Sequence, residues 1–338
     1  MTRRTAICSS VDYHTAGEPF RIIADPPVEA PGASVAEKRA RAVSGSALDD
    51  LRRLLCFEPR GHADMYGGFI TAPDDADADF GVLFWHKDGF STACGHGTMA
   101  LGAWAVESGL AAAEPSGLTE VRIDVPSGRV NAQVHTDSAG EVTSIDFVNV
   151  PSRLVATGIT VDTGRGRLSV DLAWGGALYA LVDGDRLGLD VVPEDLGELI
   201  ALGREVKASL AGHPETAHPV DERLSGVYGT IIVNRFGTTD TGELHQRNVT
   251  VFADGQVDRS PCGSGTAARI AALHASGELV PGQTLIHDSI IGTRFRARVL
   301  EETADGVVPV VAGTAHRVAS TSFELDPRDA LVPGFVLR

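Results

Sequence analysis

Positive charge is scarce in this chain. Its 338 residues carry 29 lysines and arginines against 45 aspartates and glutamates, a formal net charge of −16. Nucleic acid and anionic membranes present phosphates that call for a basic surface, so neither is an expected partner. Lysine is rarer still, with only Lys38, Lys87 and Lys207, all in charged, surface-like contexts. A Schiff-base lysine for pyridoxal-type chemistry is not expected among them. Cysteine is limited to Cys8, Cys56, Cys94 and Cys262, with no CxxC pair and no close Cys/His cluster of metal-ligand spacing. No metal site is therefore expected, and in a reducing compartment the four would be free thiols. No run of about 18 apolar residues exists, which argues against a membrane-spanning helix. The opening MTRRTAICSSVDYHTAGEPF lacks an apolar core of roughly 7–15 residues, so no secretory leader is read there. A cytoplasmic location is expected.

What the chain does contain is a duplicated segment. With 43% hydrophobic and 22% charged residues it has the make-up of a globular protein, and its length suits two lobes of about 150 residues. Thr92-Ala-Cys-Gly-His-Gly-Thr98 runs on as MALGAWAVESGL, and from Ser260 the chain reads SPCGSGTAARIAALHASGEL. Cys94 precedes Ser108 by 14 residues, as Cys262 precedes Ser276. Phe84 and Phe252 each stand ten residues before their cysteine.

Each copy reads as a strand, a tight glycine turn and a helix that is apolar nearly all round, the mark of a helix buried in a core. Each cysteine falls at a helix N-terminus. Unpaired N–H groups and the helix dipole there favour anions, so such a site can bind a carboxylate and lower a thiol pKa from about 8.5 to roughly 3.5–7.5. Two such helices facing across a cleft would hold one carboxylate and flank its α-carbon with two thiols. A lone cysteine at such a place is usually a small buried hydrophobe; two in duplicated frames argue for chemistry.

HTAGEP at His14–Pro19, ACGHGT at Ala93–Thr98 and DRSPCGSGT at Asp258–Thr266 resemble the signature motifs of the proline racemase family, and the resemblance spans essentially the whole chain. It implies an α/β (α+β) fold like that of diaminopimelate epimerase, with two pseudo-symmetric lobes, each a sheet wrapped round a central buried helix. The lobes are expected at residues 1–152 plus 320–338, carrying Cys94, and 153–319, carrying Cys262, with the active site between them. It also implies a cofactor-independent enzyme whose partner is a small-molecule substrate, proline or hydroxyproline. A homodimer is left open.

By the same resemblance, Cys94 and Cys262 are the acid and base at the α-carbon. The N–H groups of Gly95, His96, Gly263 and Ser264 would bind the carboxylate, and Asp258 and His96 the ring nitrogen. Phe252 would pack on the pyrrolidine ring, with a core role as the alternative. In the dehydratase branch one thiol position is commonly serine or threonine, whereas both cysteines are present here, which ranks racemisation or epimerisation first. EPRGHADMYG at Glu58–Gly67 and much of the second lobe resemble that branch, which keeps trans-3-hydroxy-L-proline dehydration as the alternative.

Elsewhere, Thr5–Val11 is expected as a first strand and HTAGEP as a loop, with His14 and Glu18 as weak site candidates. ASVAEKRARAV and SALDDLRRLLC have helical spacing, with Cys56 closing an apolar stripe of Leu48, Leu51, Leu54 and Leu55. His62, Asp64, Met65 and Tyr66 are expected on a loop entering a sheet. Gly175-Gly176 inside a strand suggests a bulge or a close approach of backbone to ligand. Three other readings remain. A Cys–His hydrolase built on Cys94 and His96 is disfavoured because residues two apart on a helix point in different directions. A non-catalytic imino-acid binding module and a dithiol redox module stay open.

Overall fold

The structure is a computed structural model that describes residues 5–42 and 45–337. The chain packs as two compact units, Met1–Thr143 with Ala315–Arg338, and Ser144–Thr314. The elements run in chain order as β1 (Thr5–Thr15), β2 (Glu18–Ile23), α1 (Val35–Ala42), α2 (Ala47–Cys56), β3 (Gly67–Thr71), β4 (Phe80–His86), β5 (Gly89–Phe90), α3 (Gly95–Glu107), β6 (Leu118–Val125) and β7 (Gly128–Thr136). They continue with β8 (Val142–Val148), β9 (Arg153–Thr163), β10 (Gly166–Trp174), β11 (Leu178–Asp183), α4 (Leu196–Ser209), β12 (Val227–Thr238), β13 (Leu244–Phe252), β14 (Gln256–Asp258), α5 (Gly263–Ala275), β15 (Leu285–Ser289), β16 (Arg294–Thr303), β17 (Gly306–Gly313) and β18 (Ala315–Leu325). Val43, the last residue of the expected ASVAEKRARAV helix, lies outside the described residues.

In the first unit the strand order is β18-β1-β2-β3-β4-β6-β7, with β5 folded back on β4. Only β2–β3 and β4–β6 are parallel among these pairs. Parallel neighbours need a crossover, and the helices supply it: α1 and α2 between β2 and β3, α3 between β5 and β6. The second unit repeats this in order β9-β10-β11-β12-β13-β15-β16, with β14 folded back on β13 and β17 and β8 added beyond β16. Its parallel pairs are β11–β12 and β13–β15, crossed by α4 and α5.

Each sheet curls round its own central helix. Helix α3 touches β1, β2, β6, β7 and β18, and α5 touches β9, β10, β11, β16 and β17. Every residue from Gly95 to Val106 and from Gly263 to Leu273 is buried. The glycine and alanine content of GHGTMALGAWAVE and GSGTAARIAALHA lets strands close in on all sides. The opposite face of each sheet is covered as well. Leu48, Leu51, Leu54, Leu55 and Cys56 of α2 pack with Phe69, Leu83 and Trp85, and Leu199, Leu202 and Val206 of α4 pack with Ile232, Val249 and Val251. A strand covered on both faces reads as a near-continuous apolar run, and β4, FGVLFWH, is buried at all seven residues.

Two local expectations change. HTAGEP is the end of a hairpin, in which the two-residue turn Ala16-Gly17 joins β1 to β2, with Thr15 paired to Glu18 and positive φ at Ala16 (51°) and Gly17 (94°), the turn geometry that suits twisted strands. Gly175 and Gly176 form the bend between β10 and β11. A Cβ on Gly175 would stand 2.3 Å from the Ser264 carbonyl oxygen, so the close approach it allows is to the backbone of α5.

Candidate active site

Cys94 caps the N-terminus of α3 with extended backbone, φ −156° and ψ 102°. Its sulfur accepts the Gly97 N–H at 3.2 Å, and its carbonyl accepts the Thr98 N–H at 3.0 Å and the Thr98 hydroxyl at 2.8 Å. The expectation that Cys94 and His96 point apart fails here, since Sγ lies 3.5 Å from His96 Nδ1 and 3.6 Å from Nε2. The helical spacing rule applies between residues inside the helix, whereas a cap residue lies off the spiral and turns its side chain back over the first turn. The imidazole is held edge-on by Tyr66, at 5.0 Å between ring centres, and by Phe20 at 5.8 Å. Thr15 donates to the His96 carbonyl at 2.9 Å, so the end of β1 braces the first turn of α3. Tyr66 is fixed in turn by a hydrogen bond between its hydroxyl and that of Ser91.

Cys262 occupies the matching place on α5, with φ at 65°, a backbone state that non-glycine residues rarely adopt. Its N–H donates to the Ser260 hydroxyl at 3.0 Å, and its carbonyl accepts the Thr266 N–H at 2.7 Å. The Tyr179 hydroxyl lies 3.8 Å from the sulfur and 2.7 Å from the Ser264 hydroxyl. Tyr228 stands edge-on to Tyr179 and stacks on Phe252, with each pair of ring centres 5.6 Å apart. The loop before the cysteine is tied down by Asn248 and Thr266, which both donate to the Pro261 carbonyl, at 3.0 and 3.1 Å. The Asp258 carboxylate accepts the Ser260 N–H at 2.9 Å and the Ser260 hydroxyl at 2.7 Å.

The electrostatics of Cys262 differ from the simple helix-terminus expectation. Burial, and then the nearby Asp258 carboxylate, push its thiol far above the ordinary range; the Gly265 N–H and the hydroxyls of Thr250 and Tyr179 pull the other way without prevailing. Desolvation of a thiolate outweighs the dipole in this enclosed seat. Asp258 itself is raised to about 6, chiefly by burial. His287, whose Nδ1 lies 2.8 Å from the Thr266 hydroxyl, is lowered to about 3 by burial and by Arg269.

Of the residues singled out from sequence, Cys94, Gly95 and His96 thus lie together in the first unit, and Asp258, Cys262, Gly263, Ser264 and Phe252 around the start of α5 in the second. His62 is exposed on the loop before β3, while Met65 and Tyr66 are buried. The register between the copies also shifts: Gly67 pairs with Trp85 and Gly229 with Phe252, so the fold aligns Phe252 with Trp85 instead of Phe84. Tyr179 and Thr15 went unrecognised, because strands far apart in the chain bring them to the cysteines. Tyr-Gly-x-x-Ile at Tyr66–Ile70 and again at Tyr228–Ile232 was a legible signal for the flanking tyrosines. Among the described residues no group of three or more His, Cys, Asp and Glu side chains is placed to hold a metal ion.

The family model for proline racemase matches residues 10–336. This chain belongs to the proline racemase family. Among relatives, a trans-3-hydroxy-L-proline dehydratase of Azospirillum brasilense is 43% identical over 342 residues, covering 99% of each chain. A 3-hydroxyproline 2-epimerase of Burkholderia multivorans is 43% identical over 338 residues, covering 98% of each. Among solved structures, a hydroxyproline epimerase from Agrobacterium vitis with bound trans-4-hydroxy-L-proline superposes with a TM-score of 0.88 at 28% identity, over 97% of this chain and 95% of that one. The fold extends beyond the proline racemase family, to a PhzF-family phenazine biosynthesis protein of Bacillus anthracis at a TM-score of 0.55 and 14% identity, over 94% of this chain and 98% of that one.

Proposed function

We propose that this protein moves the α-proton of a 3-hydroxyproline, using Cys94 and Cys262 as its acid/base pair, and that epimerisation at the α-carbon is its main reaction. One observation carries the reading: a cysteine caps each of two topologically equivalent buried helices. Retention of configuration control by a single base would need no second thiol, whereas inversion needs a proton donor for the opposite face.

The α-hydrogen is far less acidic than a thiol, so the anionic transition state requires preorganised donors. The first-turn N–H groups of Gly95, His96, Gly263 and Ser264 stand at the positive ends of their helices and would bind the carboxylate on which charge develops. His96 and Asp258 would hold the ring nitrogen, and Phe252 would pack on the ring. Burial and Asp258 bias Cys262 toward the neutral thiol, the form that delivers a proton. Cys94, beside His96, would then take one; with the opposite isomer the roles exchange. The reading demands that both sulfurs reach one α-carbon.

Dehydration of trans-3-hydroxy-L-proline is the second reading, supported by an identity to dehydratases of 43%, equal to that with the 3-hydroxyproline 2-epimerase. It shares the first step: a thiolate removes the α-proton, the C3–O bond breaks, and the hydroxyl leaves with a proton as water. The enamine formed then tautomerises to a cyclic imine.

Proton NMR in heavy water, with trans-3-hydroxy-L-proline, trans-4-hydroxy-L-proline and L-proline in separate tubes, decides between them. Epimerisation predicts loss of the α-proton signal and growth of the 2-epimer of the 3-hydroxy compound. Conversion of that compound to imine alone would establish the dehydratase. Absence of α-proton exchange in all three tubes would overturn both.

A further inference from the structure

A polar cavity of about 110 Å³ lies in the second unit and is lined by Ser169 and Asp171 of β10, Asp183 of β11, Arg186, Arg235 of β12 and Arg269 of α5, with Leu181, Val182 and Val233. Most of its charges are already matched. Asp183 lies 3.5 Å from Arg186 and 3.8 Å from Arg235, and Arg235 also pairs with Glu278. Arg269 is different. It is 94% buried, its Nε donates to Gln246 Oε1 at 2.9 Å, and among the described residues its two terminal nitrogens have no hydrogen-bond or ion-pair partner. A guanidinium presents five donors in a fixed fork that matches a carboxylate, and burying it unmatched is costly.

Asp171 supplies the opposite charge. Its Oδ1 accepts the Gly158 N–H at 2.9 Å, and no cation stands within ion-pair distance of it among the described residues. Arg269 and Asp171 therefore line one small cavity with opposite charges that do not touch. An anion alone would answer Arg269 and meet repulsion from Asp171; a cation alone would do the reverse. A small molecule carrying both charges a few bonds apart answers both.

We propose that this cavity is a binding site for a small amino-acid zwitterion, its carboxylate on Arg269 and its ammonium on Asp171. The site is separate from the residues around Cys262. Arg269 lies seven residues along α5 from that cysteine, so the ligand would be held by the helix that carries the thiol.

Isothermal calorimetry on the intact protein tests this with glycine, acetate and methylammonium as probes. Glycine should bind, with acetate and methylammonium each weaker by about tenfold or more, since each loses one charge-assisted contact. Asp171→Asn and Arg269→Met should each weaken glycine by about tenfold or more. Should Arg269→Met fail to fold, Ser169→Trp, which fills the cavity from its exposed rim, carries the same expectation. Glycine binding that is absent, or unchanged in Asp171→Asn and Ser169→Trp, would overturn the proposal. So would acetate binding as tightly as glycine, which would mark an anion site only.

Discussion

At Gly97 and Gly265 a hydrogen stands where any side chain would strike a thiol. A Cβ on Gly97 would lie 2.8 Å from the Cys94 sulfur and 2.4 Å from the Phe20 ring, and one on Gly265 would lie 2.9 Å from the Cys262 sulfur. Overpacking of this kind costs about 1–3 kcal/mol, and a reacting group displaced by about 1 Å can lose about a hundredfold in rate. Gly97→Ala should therefore lower kcat far more than it lowers the urea midpoint, and Gly265→Ala should do so more mildly. Unchanged kcat in Gly97→Ala would mean the Cys94 seat does not matter to turnover.

Two buried groups set opposing pH slopes. Asp258, raised from 3.8 to about 6, contributes stability that is present at low pH and lost as pH rises through 6. His287, lowered from 6.5 to about 3, contributes stability that is present above 6.5 and lost as pH falls below it. From pH 7 to 5 the histidine costs about 2 kcal/mol and the aspartate returns about 1 kcal/mol. Urea unfolding at the two pH values should show His287→Gln losing less stability on acidification than the parent, and Asp258→Asn losing more. Such couplings were not legible in the chain. The two cysteines stood out because a duplicated spacing framed them, but Tyr179 reaches Cys262 across 83 residues, and nothing local to either residue announces that contact.

The elements were easier to read where a single period or turn decides them. The leucine stripe of α2 and the all-round apolar character of α3 and α5 follow from burial on one side or on every side. The hairpin at Ala16-Gly17 was harder, because alanine with positive φ is a rare choice for such a turn. The copies also differ in how their central helices are anchored. In α3 the Thr98 hydroxyl donates to the cap carbonyl of Cys94; in α5 the Thr266 hydroxyl bonds Pro261 and meets His287. Thr266→Val removes the hydroxyl from two buried partners and should cost about 2 kcal/mol, against about 1 kcal/mol for Thr98→Val. Chemical denaturation measures the difference; equal costs would show that His287 does not depend on Thr266.

For the whole molecule, duplication is the dominant fact: two units share a strand order, the same placement of parallel pairs and a cysteine at the head of each central helix. Neither unit holds both thiols, so two-base inversion must draw on both. Removing a general acid or base costs roughly 10²–10⁴-fold, and Cys94→Ser and Cys262→Ser should each lower epimerisation by that much. Elimination of the 3-hydroxyl needs only the thiol that takes the α-proton, so one of the two variants should retain dehydration of trans-3-hydroxy-L-proline if that reaction occurs. If separate thiols remove and deliver the proton, then early in turnover in heavy water the product epimer should carry deuterium at the α-carbon while recovered substrate keeps protium. Deuterium appearing equally in recovered substrate from the start would point to one exchangeable base serving both faces. Full epimerase activity in either serine variant would remove the need for the second thiol and with it the two-base reading.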